Sequence, residues 1–216
     1  MAAEGWLVVS IEYTLADKTH PTWDVATDQV ACALAWTAQN AAAYGGDSSR
    51  LAVLGDSAGG NLAVTTSYQA AAGALTSPCG GLPAVSAVAV VYPAVAPATV
   101  FANTTPVTGK IGRSFATDFT GGSPEEYPER YEAVTFSTWI SPAAPPTFIV
   151  QGENDHLVTA PPVEEFVEQA DAAGADVSLV IVPYADHVFD TSPIGSQIYV
   201  ETTLRWLAGQ GLTGRA

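Results

Sequence analysis

The sequence predicts an α/β fold in which a mostly parallel β-sheet is flanked by helices. Short β-branched runs alternate with longer helical patterns, and the runs are near-continuously apolar, as expected for strands covered on both faces. The chain has 216 residues, 48% of them hydrophobic, which suffices for one sizeable core and is too little for two ordinary domains. Residues 1–216 are therefore expected to form a single domain.

The elements follow one another in a regular order along the chain. Five apolar runs predict strands, at 7–12, 51–54, 85–92, 147–151 and 177–182. Helices are predicted between them, from 22–24 to Tyr44 before a Gly-Gly-Asp stop, from Ser57 to Gly73, at 162–173, and at 196–208.

Residues 93–146 differ from the rest, because they mix Pro, Gly, Thr and Ser with scattered aromatics and show no sustained period. We interpret this stretch as a cap-like insertion. Most of its aromatic side chains are expected to pack the insertion's own core, while some could close over a pocket. They are Phe101, Phe115, Phe119, Tyr127, Tyr131, Phe136 and Trp139.

The charge balance excludes several classes of partner. Lys and Arg number 7 against 22 Asp and Glu, which gives a net charge of -15. Such a surface would repel nucleic acids and anionic membranes, and we interpret the acidity as an aid to solubility. The apolar run at 6–11 is too short for a membrane span, and no basic region precedes it, so a soluble cytoplasmic protein is expected.

Neither cofactor chemistry nor redox chemistry is indicated. The two cysteines, Cys32 and Cys79, lack the paired spacing of a zinc site or disulfide framework and are expected to be buried or idle thiols. No metal cluster, dinucleotide fingerprint or phosphate loop occurs, so no cofactor or metal is predicted.

The segment Gly55-Asp56-Ser57-Ala58-Gly59 carries the clearest chemical signal. It matches the G-x-S-x-G nucleophile elbow, with a predicted strand before it and a predicted helix after it. Small neighbours let chain and helix pass closely around a strained turn. At the helix N-terminus, the N–H of Ala58 is the expected donor to developing negative charge on a substrate oxygen. Asn61, a few residues on, is expected to be a helix-surface or capping residue.

A serine hydroxyl needs a base, and the base needs an acid partner. His187 follows the last predicted strand and is the predicted base, because α/β hydrolases carry nucleophile, acid and histidine in that chain order. His20 and His156 are interpreted as ordinary solvated side chains.

The acid is expected in the loop after the strand at 147–151, which offers two carboxylates. Asp155 is the preferred acid and Glu153 is the alternative. Asp186 and Asp190 are interpreted as surface charges, because a sequence neighbour seldom reaches the imidazole Nδ1 of the residue beside it.

Together these segments resemble the hormone-sensitive-lipase-like esterases of the α/β-hydrolase fold (alpha/beta hydrolase fold-3). The similarity covers nearly the whole chain, although Thr14 replaces the arginine usual in the family. By this resemblance Ser57 is the nucleophile, Asp155 the acid and His187 the base. The matching segments lie at 8–16, 45–47, 49–53, 55–61, 91–93, 152–158 and 187–189.

One part of the family pattern is not found. The resemblance implies a His-Gly-Gly-Gly segment ahead of residue 1, whose backbone N–H groups form the other half of the oxyanion hole, and a strand before it. The chain therefore resembles an N-terminally truncated member with a gap between the strands at 7–12 and 51–54. We expect, in this order, that the natural protein is longer, that the first strand pairs directly with the second, or that another chain fills the gap.

The predicted activity is hydrolysis of small carboxylic esters with short or medium acyl chains. Two alternatives stay open. The same three residues serve acyl transfer from amides in serine peptidases and amidases. A weak or inactive hydrolase-like protein could instead use the pocket to bind a small ligand. A homo-oligomer also stays open.

Overall fold

The computed structural model describes residues 1–214, and within them four parallel strands form one sheet. Four of the five predicted strands are confirmed. The strands are β1 (Ala52–Asp56), β2 (Ala87–Val91), β3 (Thr147–Gly152) and β4 (Val177–Val182), in the order β1-β2-β3-β4. The central strands β2 and β3 are completely buried, as their continuous apolar sequences require.

The four predicted helices are present within a few residues of their expected bounds, although α1 ends at Asn40 and continues as a 3₁₀ turn, Ala41–Tyr44. Asp24 caps α1 by accepting from the backbone N–H of Val25. Residues 93–146 contain three further helices. The helices are α1 (Val25–Asn40), α2 (Ser57–Ala71), α3 (Pro97–Ala102), α4 (Thr108–Thr120), α5 (Pro128–Ala133), α6 (Ala160–Ala172) and α7 (Pro193–Gly209).

The helix α4 shows why the insertion's sequence looked aperiodic. Its buried positions are Gly109, Gly112, Ala116 and Thr120, which recur every three or four residues but are small or polar. The large apolar residues Ile111 and Phe115 are instead exposed, at 42% and 60%, so a search for large apolar residues does not identify the inner face of this helix.

The sheet separates two apolar layers because side chains of a strand alternate between its faces. Val88 and Val90 of β2 pack in one cluster with Val64 of α2 and Phe166 of α6. The alternate residues of β2 and β3 pack on the other face against α7, where Trp206 stacks on Phe148 with ring centroids 5.3 Å apart. Helices on both faces thus hold the strand ends in fixed relative positions.

The predicted strand at 7–12 is wrong, as is the second-ranked possibility that it pairs directly with the next strand. These residues have no regular secondary structure and pair with no strand among residues 1–214, and Leu7, Val8, Val9 and Ile11 are between 37% and 54% exposed. A cavity of about 230 Å³ lies between this segment, α1 and β1. Strand pairing needs a neighbour about 4.8 Å away, and the cavity keeps the segment too far from β1.

The expectation of idle thiols is also wrong. Cys32 of α1 and Cys79 in the loop after α2 form a disulfide, with Cα atoms 5.0 Å apart. Spacing along the sequence gave no sign of it, because the two residues are 47 positions apart and meet only through the packing of the loop on α1. The bond ties that loop to the helical layer.

None of the helices within residues 1–214 is long and apolar enough to cross a bilayer.

Candidate active site

Ser57 lies on a sharp turn between β1 and α2. Its backbone adopts the left-handed conformation with φ 49°, which non-glycine residues rarely take. The neighbouring glycines make this turn possible, since a Cβ at Gly55 would overlap the backbone of Gly59, and a Cβ at Gly60 would lie 2.9 Å from Pro93 Cβ. Gly55 and Gly60 are therefore required by the close approach of strand, helix and loop, whereas a Cβ at Gly59 would meet no atom within 4 Å.

The three predicted site residues come together at the carboxyl ends of the strands. Ser57 Oγ lies 3.0 Å from His187 Nε2, and His187 Nδ1 lies 2.7 Å from Asp155 Oδ2. With the ring proton on Nδ1, donated to the carboxylate, Nε2 is free to accept the proton of Ser57. The loops after β1, β3 and β4 supply one residue each.

Asp155 is held by its own loop. The side chain is fully buried, and Oδ1 accepts from the backbone N–H groups of Leu157, at 2.9 Å, and Val158, at 2.8 Å. These bonds compensate for the burial of the carboxylate and fix its orientation toward His187. Glu153, the alternative acid, instead accepts from the backbone N–H of Tyr184 at 3.0 Å.

Asp186 joins the acid loop to the histidine loop. Its Oδ1 accepts from the backbone N–H groups of His156, at 2.9 Å, and His187, at 2.7 Å, while Oδ2 lies 2.9 Å from His156 Nδ1. Partial burial disfavours the charged form, but these hydrogen bonds outweigh it and lower the pKa of the Asp186 carboxyl. Asp186 is exposed, as expected of a surface charge, yet it holds two functional loops together. His20 and His156 are both exposed.

Tyr92, which follows β2, is a residue that sequence reasoning missed. It is buried, has φ 38°, and its ring centroid lies 4.5 Å from that of His187. Its hydroxyl donates to Asp190 Oδ1, so the expectation that Asp190 is a surface charge is wrong. Burial and then this bond raise the pKa of Tyr92 far above its ordinary value. An aromatic residue directly after a central strand was the available signal, because parallel strands end at one edge of the sheet.

Asn61 also departs from its predicted role. It is buried, and its Nδ2 donates to the carbonyls of Ala94, at 2.7 Å, and Val134, at 2.8 Å. The expected surface or capping role is wrong because an amide can serve two backbone acceptors at once, which suits a buried junction. Asn61 ties α2 to the loop after β2 and to the end of α5.

The insertion's aromatic residues divide between core and surface. Phe136 and Tyr131 are buried, and Phe136 packs edge to face on Phe166 with ring centroids 5.2 Å apart. Phe115 is 60% exposed on α4. The buried pair therefore serves packing, as expected for most of the set. Across residues 1–214, no three His, Cys, Asp or Glu side chains are grouped so that they could hold a metal ion.

A parallel sheet flanked by helices, with a serine on the turn into the helix after β1, defines an α/β hydrolase. Residues 1–169 match the BD-FAE family, and the chain belongs to this family. Esterase LipQ of Mycobacterium tuberculosis is 30% identical over 192 residues, which are 88% of this chain and 44% of LipQ. Carboxylesterase NlhH of the same species is 52% identical over 56 residues, which are 26% of this chain and 17% of that protein.

Solved structures agree with the fold. A truncated form of a carbohydrate esterase from gut microbiota superposes with a TM-score of 0.74 at 22% identity, over 93% of this chain and 73% of that one. An acetyl ester-xyloside bifunctional hydrolase from Caldicellulosiruptor lactoaceticus gives 0.69 at 19% identity, over 88% and 68%. The chain spans less than half the length of the curated relatives LipQ and LipC, at 44% and 47%.

Proposed function

We propose that this protein hydrolyses carboxylic esters of short or medium acyl chain through an acyl-Ser57 intermediate. The observation that carries the proposal is the continuous hydrogen-bonded path from Ser57 Oγ through the His187 ring to Asp155. The names of the relatives, which are esterases and a carboxylesterase, support the same reaction.

The reaction follows from the positions of these groups. His187 Nε2 accepts the Ser57 proton as Oγ attacks the ester carbonyl, and the carbonyl oxygen becomes negatively charged. The imidazolium then gives its proton to the departing alcohol oxygen as the C–O bond breaks. A water molecule repeats the sequence on the acyl-enzyme and releases the acid. Asp155 holds the Nδ1–H tautomer and stabilises the transient positive charge.

The charged carbonyl oxygen needs hydrogen-bond donors. The N–H of Ala58, the second residue of α2, is the proposed donor, at the helix end that favours negative charge. The resemblance implies a second donor from a His-Gly-Gly-Gly segment, which the sequence of residues 1–216 does not contain. Loss of one such donor lowers kcat by about 10² to 10³. We therefore expect slow turnover when Ala58 acts alone.

Hydrolysis of p-nitrophenyl acetate tests the proposal. Ser57→Ala should remove turnover, whereas Ser196→Ala, at an exposed serine of α7, should leave it unchanged. Equal turnover by Ser57→Ala and the unaltered protein, both free of contaminating esterase, would refute the role of Ser57.

The open edge at β1 favours one other candidate, a hydrolase-like protein that binds a small ligand without turning it over. Among residues 1–214, no strand pairs with the outer edge of the strand that precedes Ser57, and a cavity lies there instead. Such a protein would bind an ester analogue but react with no activated phosphonate. The buried and fully bonded Asp155 argues against it, because ligand binding alone does not require an oriented imidazole.

A cytoplasmic location remains a prediction, and the Cys32–Cys79 disulfide argues against it, since cytosolic thiols are kept reduced. Thiol titration under denaturing conditions, on protein taken from its native host, distinguishes a reducing from an oxidising compartment. Two free thiols per chain would support a cytoplasmic location. The absence of free thiols would support an oxidising compartment.

A further inference from the structure

A second cavity, of about 760 Å³, lies along α4 in the insertion. Its lining includes Lys18, Lys110 and Arg113. These are both lysines of the chain and three of its seven basic residues, in a protein with a net charge of -15. Positive charge is therefore concentrated at this groove while the molecule as a whole is acidic.

The three cations are available to a ligand. Among residues 1–214 none of them forms an ion pair with a carboxylate, although the Arg113 guanidinium lies 5.1 Å from the centre of the Phe101 ring. Lys110 and Arg113 are three positions apart and share one face of α4. Asp118 is the acidic residue of the lining and lies further along the helix.

Neutral polar groups complete the groove. Thr104 and Thr105 lie on the loop beside α4, and Ser114 and Thr117 lie on α4 itself. Hydroxyl groups both donate and accept hydrogen bonds, which suits the hydroxyls of a sugar, while lysine and arginine suit carboxylates. The lining can thus bind both hydroxyls and carboxylates, and acidic carbohydrates carry both groups.

The groove is attached to the proposed active site. Asn103 Nδ2 donates to the carbonyls of His156, at 2.8 Å, and Leu157, at 3.1 Å, and Thr108 Oγ1 donates to the His156 carbonyl at 2.6 Å. These carbonyls belong to the loop that carries Asp155. Asn103, which lines the groove, is therefore hydrogen-bonded directly to the loop that carries Asp155.

We propose that this groove binds an acidic carbohydrate, a sugar chain whose carboxylates pair with Lys110, Arg113 and Lys18. The inference concerns binding and does not depend on ester hydrolysis. Because the cations are exposed, the interaction is screened by salt and each pair contributes modestly. Several such pairs act together at the groove, whereas the acidic surface elsewhere repels the same ligand. The groove is therefore the place where an anionic sugar binds.

Titration calorimetry at low ionic strength tests the proposal, with trigalacturonate as the anionic probe and xylotriose as its neutral counterpart. The Ser57→Ala protein is used throughout, so that no turnover interferes and the outcome is separate from that of the proposed esterase activity. We expect trigalacturonate to bind and xylotriose to bind much more weakly. Lys110→Gln combined with Arg113→Gln should weaken trigalacturonate roughly tenfold.

Arg205→Gln, which removes an exposed arginine of α7, is the matched control and should leave the affinity unchanged. Added salt should weaken trigalacturonate binding by the Ser57→Ala protein, and should have much less effect on the protein that also carries Lys110→Gln and Arg113→Gln. Equal affinity for xylotriose, equal affinity for inorganic phosphate, or an undiminished affinity in a double variant with a native circular dichroism spectrum would each overturn the proposal.

Discussion

Two regions meet at β1, and they differ in how completely they are packed. At its carboxyl end Ser57 faces His187 and Asp155, and hydrogen bonds join the three in sequence. Along its outer edge β1 faces a cavity, and the segment at 7–12 lies beyond it with exposed apolar side chains. One strand thus borders both a hydrogen-bonded site and this cavity, which we call the slot.

The difference shows which contacts the site depends on. Its three side chains follow β1, β3 and β4, which belong to one sheet through the intervening strand β2, so the segment at 7–12 does not hold them together. The lining of the slot includes residues of β1 and of the segment at 7–12 but none of these three side chains. The orientation of Ser57, His187 and Asp155 therefore does not depend on a contact with the slot.

The largest expected effect is the loss of kcat when the residues hydrogen-bonded in sequence to Ser57 are replaced. His187→Ala and Asp155→Asn should each lower kcat on p-nitrophenyl acetate by roughly 10⁴-fold, because one removes the base and the other favours the wrong tautomer. His20→Ala, which removes an exposed imidazole, is the control and should change kcat little. Comparable losses in all three variants would mean that folding, and not the site, was measured.

The sequence predicted the parts of the fold that repeat and the parts of the site that follow a motif. The strands before Ser57 and Asp155 were found because buried parallel strands are continuously apolar. The segment at 7–12 has the same composition but pairs with no strand among residues 1–214, and composition alone does not report whether a partner strand is present. Tyr92 and Asp190 meet only in three dimensions, 98 positions apart, so no local pattern revealed their bond.

The next largest effect concerns the free energy of unfolding, which compares packing in the buried sheet with packing beside the slot. Ile149→Ala in the buried strand β3 should lower the free energy of unfolding by about 2 to 5 kcal/mol, since it leaves a cavity in a dense core. Ile11→Ala beside the slot should cost roughly 1 to 2 kcal/mol, because this residue is already 37% exposed and part of its apolar surface stays in water. Urea denaturation measures both. A loss at Ile11 as large as that at Ile149 would show that the segment at 7–12 is packed and the slot closed.

A smaller effect tests how His187 is positioned. Tyr92→Phe removes the hydroxyl bonded to Asp190, and we expect kcat to fall roughly tenfold with KM unchanged, because the packing beside the imidazole loosens. Asp190→Asn keeps an acceptor for the tyrosine and should lose less activity than Asp190→Ala. Tyr44→Phe, at an exposed tyrosine, is the control. A rise in KM at constant kcat would instead indicate a substrate contact.

The smallest effect concerns Asp186 and depends on pH. The pKa of this carboxyl is lowered in the folded protein, so its stabilising contribution is complete above the unfolded value of about 3.9 and is lost as the pH falls through the folded value. Asp186→Asn should therefore reduce stability by less than about 1 kcal/mol at pH 7, and the difference should shrink below about pH 4. Urea melts at pH 7 and pH 3 compare the two proteins. A difference that grows in acid would contradict the assignment.

We propose that Ser57 is an activated nucleophile, and covalent labelling with a fluorophosphonate probe measures that activation. We expect a single adduct, located on Ser57 by mass spectrometry, that forms rapidly in the unaltered protein, slows greatly in His187→Ala and is absent in Ser57→Ala. A folded protein that stays unlabelled, or that is labelled at the same rate without His187, would contradict the claim and favour a ligand-binding role for the pocket.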